Sequence, residues 1–144
     1  MTKAAGRAEI EELHRFLVGW LGGTLPRTEA AFAAFASVLA PDFAIVSPRG
    51  VVTERAALLG ELEAAHGVHG GPGKAFAIRI ENVVLRHDGD GLALFTYEEW
   101  QEIGGAAANA RISTVLFARD AAAPNGLVWL HLHETWLPGH APET

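Results

Sequence analysis

Apolar residues in the first part of the chain recur with a helical period. Ile10, Leu13, Leu17, Trp20 and Leu21, with Phe16, form a broad apolar stripe opposite Glu9, Glu11, Glu12 and Arg15. The spacing predicts a helix over about 7–21, stopped by Gly22-Gly23. Phe32, Phe35, Ala36 and Leu39 repeat the pattern and predict a second helix over about 28–40. Pro41 ends it, because proline disfavours helical geometry in the residue before it. Short strands are expected at 43–46 and 51–52, with Ser47-Pro48-Arg49-Gly50 as the turn between them. Thr53 then reads as the N-cap of a third helix, with Glu54 beside the positive end of its dipole. Leu58, Leu59, Leu62 and Ala65 form the buried face of that helix. Gly60 costs it up to ~1 kcal/mol against alanine, so packing must hold it.

Residues 67–73 contain four glycines and a proline and read as a flexible loop. Beyond them the period changes from 3.6 to 2. Phe76, Ile78, Ile80, Asn82 and Val84 alternate with Ala77, Arg79 and Glu81. His87-Asp88-Gly89-Asp90-Gly91 is a hairpin turn, and strands follow at 92–102, 111–118 and 127–137. Pro138-Gly139 ends the last. The order is two helices, two short strands, a helix and four long strands. Long antiparallel strands joined by short loops, with the helices bunched earlier, predict an α+β fold with helices on one sheet face. No repeat or linker divides the chain, so one domain over 1–144 is expected, with its core at about 9–138.

Composition agrees and narrows the chemistry. A chain of 144 residues buries roughly 70% of its unfolded surface, and 49% hydrophobic with 19% charged residues is a globular balance. No cysteine is present, which excludes thiolate metal sites, disulfides and a cysteine nucleophile. The net charge of -6, without a basic stripe, argues against nucleic acid as a partner. No apolar run reaches the ~20 residues of a membrane span. The segment before the first helix lacks the apolar core of a signal peptide, so a cytoplasmic location is expected. No cofactor signature is visible.

The order of elements, the segment Leu39-Ala40-Pro41-Asp42-Phe43-Ala44-Ile45-Val46-Ser47-Pro48-Arg49-Gly50, and the closing run Trp129-Leu130-His131-Leu132-His133-Glu134-Thr135-Trp136 resemble the nuclear-transport-factor-2-like (SnoaL-like) superfamily over about 9–138. The resemblance implies a cone-shaped, curved mixed β-sheet wrapped around three helices from the N-terminal half, and a pocket between the concave face and the helices. It also implies a homodimer made through the outer sheet face. The ketosteroid isomerases of this superfamily carry a general-base aspartate before the Pro-x-Gly turn and a phenol on the first helix. Here those places hold Ser47 and Phe16, which argues against that route.

In similar folds an aromatic near the end of the last strand faces the cavity, and Trp136 matches it. Alternation then turns Leu130, Leu132, Glu134 and Trp136 inward and Trp129, His131, His133 and Thr135 outward. The same comparison turns Leu92, Leu94, Thr96, Glu98 and Trp100 inward, with Ile112, Thr114 and Leu116 on the next strand. A slip of one residue would invert each set. Phe95, Tyr97, Phe117 and Trp129 would then form an outward aromatic patch. Such a patch needs a subunit interface to cover it, or else the faces are inverted and these residues line the pocket.

Glu98 and Glu134 are the candidate catalytic residues, since a carboxyl in an apolar cavity has a raised pKa and can act as acid or base near neutrality. Phe16, Trp20, Thr96, Trp100, Thr114, Leu132 and Trp136 are the candidate ligand-binding residues. His131-x-His133 is the most metal-like pair. A metal site would need a third ligand such as Glu99 or Gln101, and an outer-face histidine pair is the simpler account, so no metal is expected. His66, His69 and the glycines of the 67–73 loop read as surface, with a lid as the alternative. These expectations describe a protein with a pocket for a small apolar or aromatic ligand, as a cofactor-independent lyase, isomerase or hydrolase. The alternative is a non-catalytic association module acting through homodimerisation.

Overall fold

The computed structural model describes residues 1–142. The elements follow the expected order: α1 (Thr2–Leu21), α2 (Glu29–Ala36), β1 (Leu39–Val46), β2 (Val52–Glu54), α3 (Arg55–Ala64), β3 (Phe76–Gly89), β4 (Leu92–Ile103), β5 (Ala106–Arg119) and β6 (Leu127–Trp136). The strands form one open, curved sheet in the order β2-β1-β6-β5-β4-β3. β1 and β6 run parallel and every other pair is antiparallel, so the sheet is mixed. The helices pack on its concave face, giving the α+β cone. None of the described helices is long and apolar enough to cross a membrane.

Several boundaries move for local reasons. α1 starts at Thr2, a turn earlier than the apolar stripe alone requires, and Gly23 rather than Gly22 takes the left-handed conformation after it. The Thr28 side chain caps α2 by accepting from Ala31 N at 3.1 Å. That helix stops at Ala36 rather than Ala40, because 39–46 are taken into the sheet beside β6, with Leu39 opposite Trp129. Arg55 donates to the Ala36 carbonyl at 2.8 Å and the Leu39 carbonyl at 3.2 Å, tying α3 across the turn. Thr53 lies within β2, and Glu54 holds the N-cap position of α3 without a side-chain cap bond.

The main correction concerns the faces of the sheet. On β4, Ala93, Phe95 and Tyr97 are fully buried against the helices and Glu99 nearly so, while Leu92, Leu94, Thr96, Glu98 and Trp100 lie on the convex side. On β5, Ser113, Val115 and Phe117 are inside, and Ile112, Thr114 and Leu116 are outside. The expected faces of both strands are therefore inverted. The aromatic patch needs no partner to cover it; it is the core.

β6 follows a mixed course. Its pairing with β5 jumps from Phe117↔Trp129 to Leu116↔His131, so Leu130 is an extra residue and the alternation changes phase there. Trp129 faces inward before this bulge, and Leu132, Glu134 and Trp136 face inward after it. A second bulge, at Asn82 with φ 52°, breaks the alternation of β3. It buries Val83 and leaves Val84 outside. Asparagine tolerates this left-handed conformation better than most residues.

Candidate functional site

The inner face of the sheet is ordered in transverse rows. Ala93, Phe117 and Trp129 make one, and Phe95, Val115 and Leu132 the next. Then the chemistry changes. Tyr97, Ser113 and Glu134 form the third row, Glu99, Arg111 and Trp136 the fourth, and Gln101 and Asn109 the fifth. Polarity thus rises along the cone from an all-apolar end to a charged one.

A cavity of about 170 Å³ lies between this gradient and the helices. Leu13 and Leu17 of α1, Phe35 of α2, and Leu58 and Leu62 of α3 line its apolar walls with Leu132. His14, Glu99, Gln101, Arg111 and Glu134 line the polar end. A comparable apolar cavity of about 150 Å³ holds a benzene-sized molecule.

The polar residues form one chain of hydrogen bonds. His14 Nδ1 donates to the Ile10 carbonyl at 2.7 Å and Nε2 donates to Glu99 Oε1 at 3.0 Å. Gln101 donates to the other Glu99 oxygen at 2.7 Å, Asn109 donates to Gln101 at 3.1 Å, and Arg111 donates to Asn109 at 2.8 Å. Arg111 also donates to Glu134 Oε1 at 3.3 Å and lies 4.7 Å over the Trp136 ring. Both ring nitrogens of His14 face acceptors, one of them a carbonyl that can only accept, so the ring is an imidazolium paired with an ionised Glu99.

Electrostatics separates the two inner carboxyls. Burial opposes the ionisation of Glu99, but the charge and hydrogen bond of His14, with the charge of Arg111 and the hydrogen bond from Gln101, overcome it and hold the carboxyl at about 2. Burial also lowers His14, and Glu99 more than compensates, leaving it raised. At Glu134 burial wins: it and the nearby negative charge of Glu99 push the carboxyl up to about 7 against the pull of Arg111. Burial likewise raises the Tyr97 phenol well above its ordinary value. Tyr97 Oη, Ser113 Oγ and Arg111 Nε are buried without a well-formed hydrogen bond. These three atoms belong to adjacent inner-face positions around Glu134.

The structure therefore brings together only part of the expected set. Glu134 and Leu132 line the cavity, and Trp136 sits beside Arg111 at the polar end. Glu98 does not join Glu134: it is on the convex face, accepting from Trp100 Nε1 at 3.0 Å. Thr96 is on that face accepting from Arg86 at 2.9 Å, and Trp100 and Thr114 share it. Phe16 stacks on Phe35 with centroids 4.7 Å apart and lies outside the cavity. Trp20 is buried in the core, donating to the Leu62 carbonyl at 2.7 Å. His131 and His133 lie on the convex face beside Leu116 and Thr114, whereas Glu99 and Gln101 are inside, so neither can complete a site with them. His66 Nε2 points inward and donates to the Leu25 carbonyl at 2.8 Å, and His69 packs on Phe76.

Sequence reading missed His14, Glu99 and Arg111 as members of one site. It also placed Glu9 on the polar side of α1, where the structure buries it with the Trp129 indole donating to it at 2.9 Å. The visible signal was the alternative phase of β4, which places Glu99 next to Phe95 and Tyr97.

Residues 7–138 match the family described as sucrose-6-phosphate phosphohydrolase C-terminal. The chain is 28% identical to sucrose-phosphatase 1 of Nicotiana tabacum over 134 residues, 92% of this chain and 31% of the relative. It thus spans about a third of the length of the curated relatives it matches. Among solved structures, an NTF2-like protein of unknown function from Pseudomonas aeruginosa superposes with a TM-score of 0.80 at 32% identity, covering 92% of this chain and 98% of that one. The CaMKII hub of S. rosetta superposes with a TM-score of 0.66 at 14% identity, covering 93% and 95%.

Proposed function

The chain belongs to the sucrose-6-phosphate phosphohydrolase C-terminal family and has the NTF2-like fold, and from that premise we propose that it is a small-molecule pocket domain whose ligand is a compact, mainly apolar or aromatic compound. The observation that carries this reading is the cavity itself, walled by aliphatic side chains and ended by the Arg111–Glu134 pair. Pockets that recognise small ligands combine apolar walls with a few placed polar groups in this way. Glu134 is the proton-transfer group of the site, since its carboxyl ionises close to neutrality. Chemistry at this end is that of a lyase, isomerase or hydrolase needing one acid–base residue and a cation beside it. A phosphorylated disaccharide, the substrate class in the relatives' name, fits poorly, because its hydroxyls find no partners along leucine walls.

Titration of toluene into ¹⁵N-labelled protein tests the reading. Shifts should concentrate on Leu13, Leu17, Leu62 and Leu132 and disappear in Leu62→Phe, which fills the cavity. Shifts scattered over the surface, or unaffected by that substitution, would remove the pocket from the proposal.

A second reading rests on the convex face, where Ile112 is 39% and Val84 36% exposed near Leu94 and Leu116. Exposed apolar side chains there suit self-association. Sedimentation of the wild type and Ile112→Glu decides it: a dimer that the substitution splits supports homodimerisation, and a wild-type monomer at high concentration removes it.

A further inference from the structure

At the polar end of the cavity one guanidinium hydrogen has no partner. His14 and Glu99 neutralise each other at 3.0 Å. Arg111 is left with Glu134 as its charged partner, at the longer distance of 3.3 Å through one nitrogen. Its second terminal nitrogen goes to the neutral Asn109, and its Nε–H is buried and unpaired. A guanidinium can only donate, and no acceptor of the chain meets this hydrogen with hydrogen-bond geometry. Tyr97 Oη and Ser113 Oγ lie at directly paired positions beside Glu134, where each hydroxyl can donate or accept.

Resting on the pocket reading, we infer that the ligand is a small monocarboxylate, one ring or short chain in size, whose head group accepts from Arg111 and shares the polar end with a protonated Glu134. A monoanion is favoured over a dianion because the site has one incompletely compensated cation. The volume of about 170 Å³ accommodates a ligand body of roughly a single ring.

The charged and titratable groups facing Glu134 are Arg111 from β5, Glu99 and Tyr97 from β4, and His14 from α1. β1 and α3 bring apolar side chains to the cavity, Ile45, Leu58 and Leu62 among them. A second negative charge arriving beside Glu134 favours its protonated form. The proton then donates to the ligand carboxylate in place of a repelling charge, so binding and protonation are coupled. Glu134 already ionises at about 7 without ligand, which puts the coupling in an accessible range.

Calorimetry with benzoate, benzamide and toluene, in buffers of differing ionisation enthalpy from pH 5.5 to 8.5, tests this. Benzoate should bind at least roughly tenfold tighter than benzamide at pH 6. Its affinity should fall toward tenfold per unit above pH 7, with uptake of close to one proton per site at pH 8. Glu134→Gln should make benzoate binding independent of pH. Arg111→Gln should abolish the preference for benzoate while toluene still binds, which certifies that the variant is folded. Equal binding of benzoate and benzamide, or no proton uptake, overturns the carboxylate inference and leaves the pocket standing. Failure of all three probes overturns both.

Discussion

Glu98 and Glu99 are consecutive residues of β4 with opposite fates. Glu98 lies on the convex face, its partner the indole of Trp100. Glu99 lies on the concave face, 4% exposed, held by His14 and Gln101. Their chemistry is identical, so the contrast isolates the effect of which side of the strand a residue occupies. On the inside a carboxylate must have an ion partner and hydrogen bonds, because desolvation is expensive. On the outside water serves as the partner.

The largest effect is expected for Glu99→Ala. It leaves the His14 imidazolium buried with its Nε2 unpaired, and losing one partner of such a pair costs roughly 3–5 kcal/mol. Urea unfolding at pH 6 measures it, and a loss under ~1 kcal/mol would mean that the inner pair is solvated. Replacing both residues by leucine should recover much of the loss, since an apolar pair of similar volume removes the buried charge altogether.

Next in size is the pH dependence set by Glu134. Its folded carboxyl ionises at about 7 against an ordinary 4.5, so folding retains a proton that the unfolded chain releases. Its contribution is complete below pH 4.5 and is lost as pH rises through 7, on the order of 3 kcal/mol in all. Glu99, held at about 2, acts oppositely: its contribution is present above pH 4.5 and lost as pH falls toward 2. A pH series of unfolding midpoints should show Glu134→Gln flattening the loss of stability as pH rises through 7. An unchanged slope in Glu134→Gln would place that carboxyl in water.

Packing on the concave face gives the third test. At Gly6 of α1 an added Cβ would sit 2.1 Å from the ring of Phe95, which is fully buried. Gly6→Ala should therefore cost roughly 1–3 kcal/mol, as overpacking does. Gly60 of α3 has nothing within 4 Å, so Gly60→Ala should gain up to about 1 kcal/mol from helix propensity. Thermal melts of the two variants moving in the same direction would contradict the helix–sheet contact described.

Most of the architecture was legible because helical and strand periods are properties of the chain itself. The order of elements and the three-helix, one-sheet arrangement followed from them. The phase of β4 was not legible, since both of its alternating sets begin with apolar residues: Leu92 and Leu94 against Ala93, Phe95 and Tyr97. Alternation separates two faces without stating which is inside. The bulges at Asn82 and Leu130 compounded this, because each resets the phase through backbone geometry that leaves little trace in composition. β6 kept Leu132, Glu134 and Trp136 on the expected side because the extra residue precedes them. His14 was hidden for another reason. It sits beside Leu13 on the helix face that packs against the sheet, and its importance comes from Glu99, 85 residues away.

The smallest effect should come from Glu98→Ala. The substitution removes the acceptor of the Trp100 indole at a half-buried position of the convex face, where water can replace it, and surface substitutions fall within about 0.5 kcal/mol. The value has a use beyond its size. Should unfolding show a loss above ~1 kcal/mol that grows with protein concentration, Glu98 would be covered by a second copy of the chain, and the convex face would be the interface that Ile112 and Val84 suggest. Should the same loss occur without concentration dependence, Glu98 would be desolvated within one chain, and the contrast with Glu99 would no longer hold. A change within the expected range, alongside the large cost at Glu99, leaves strand phase as the variable that separates a buried ion partner from a surface carboxylate.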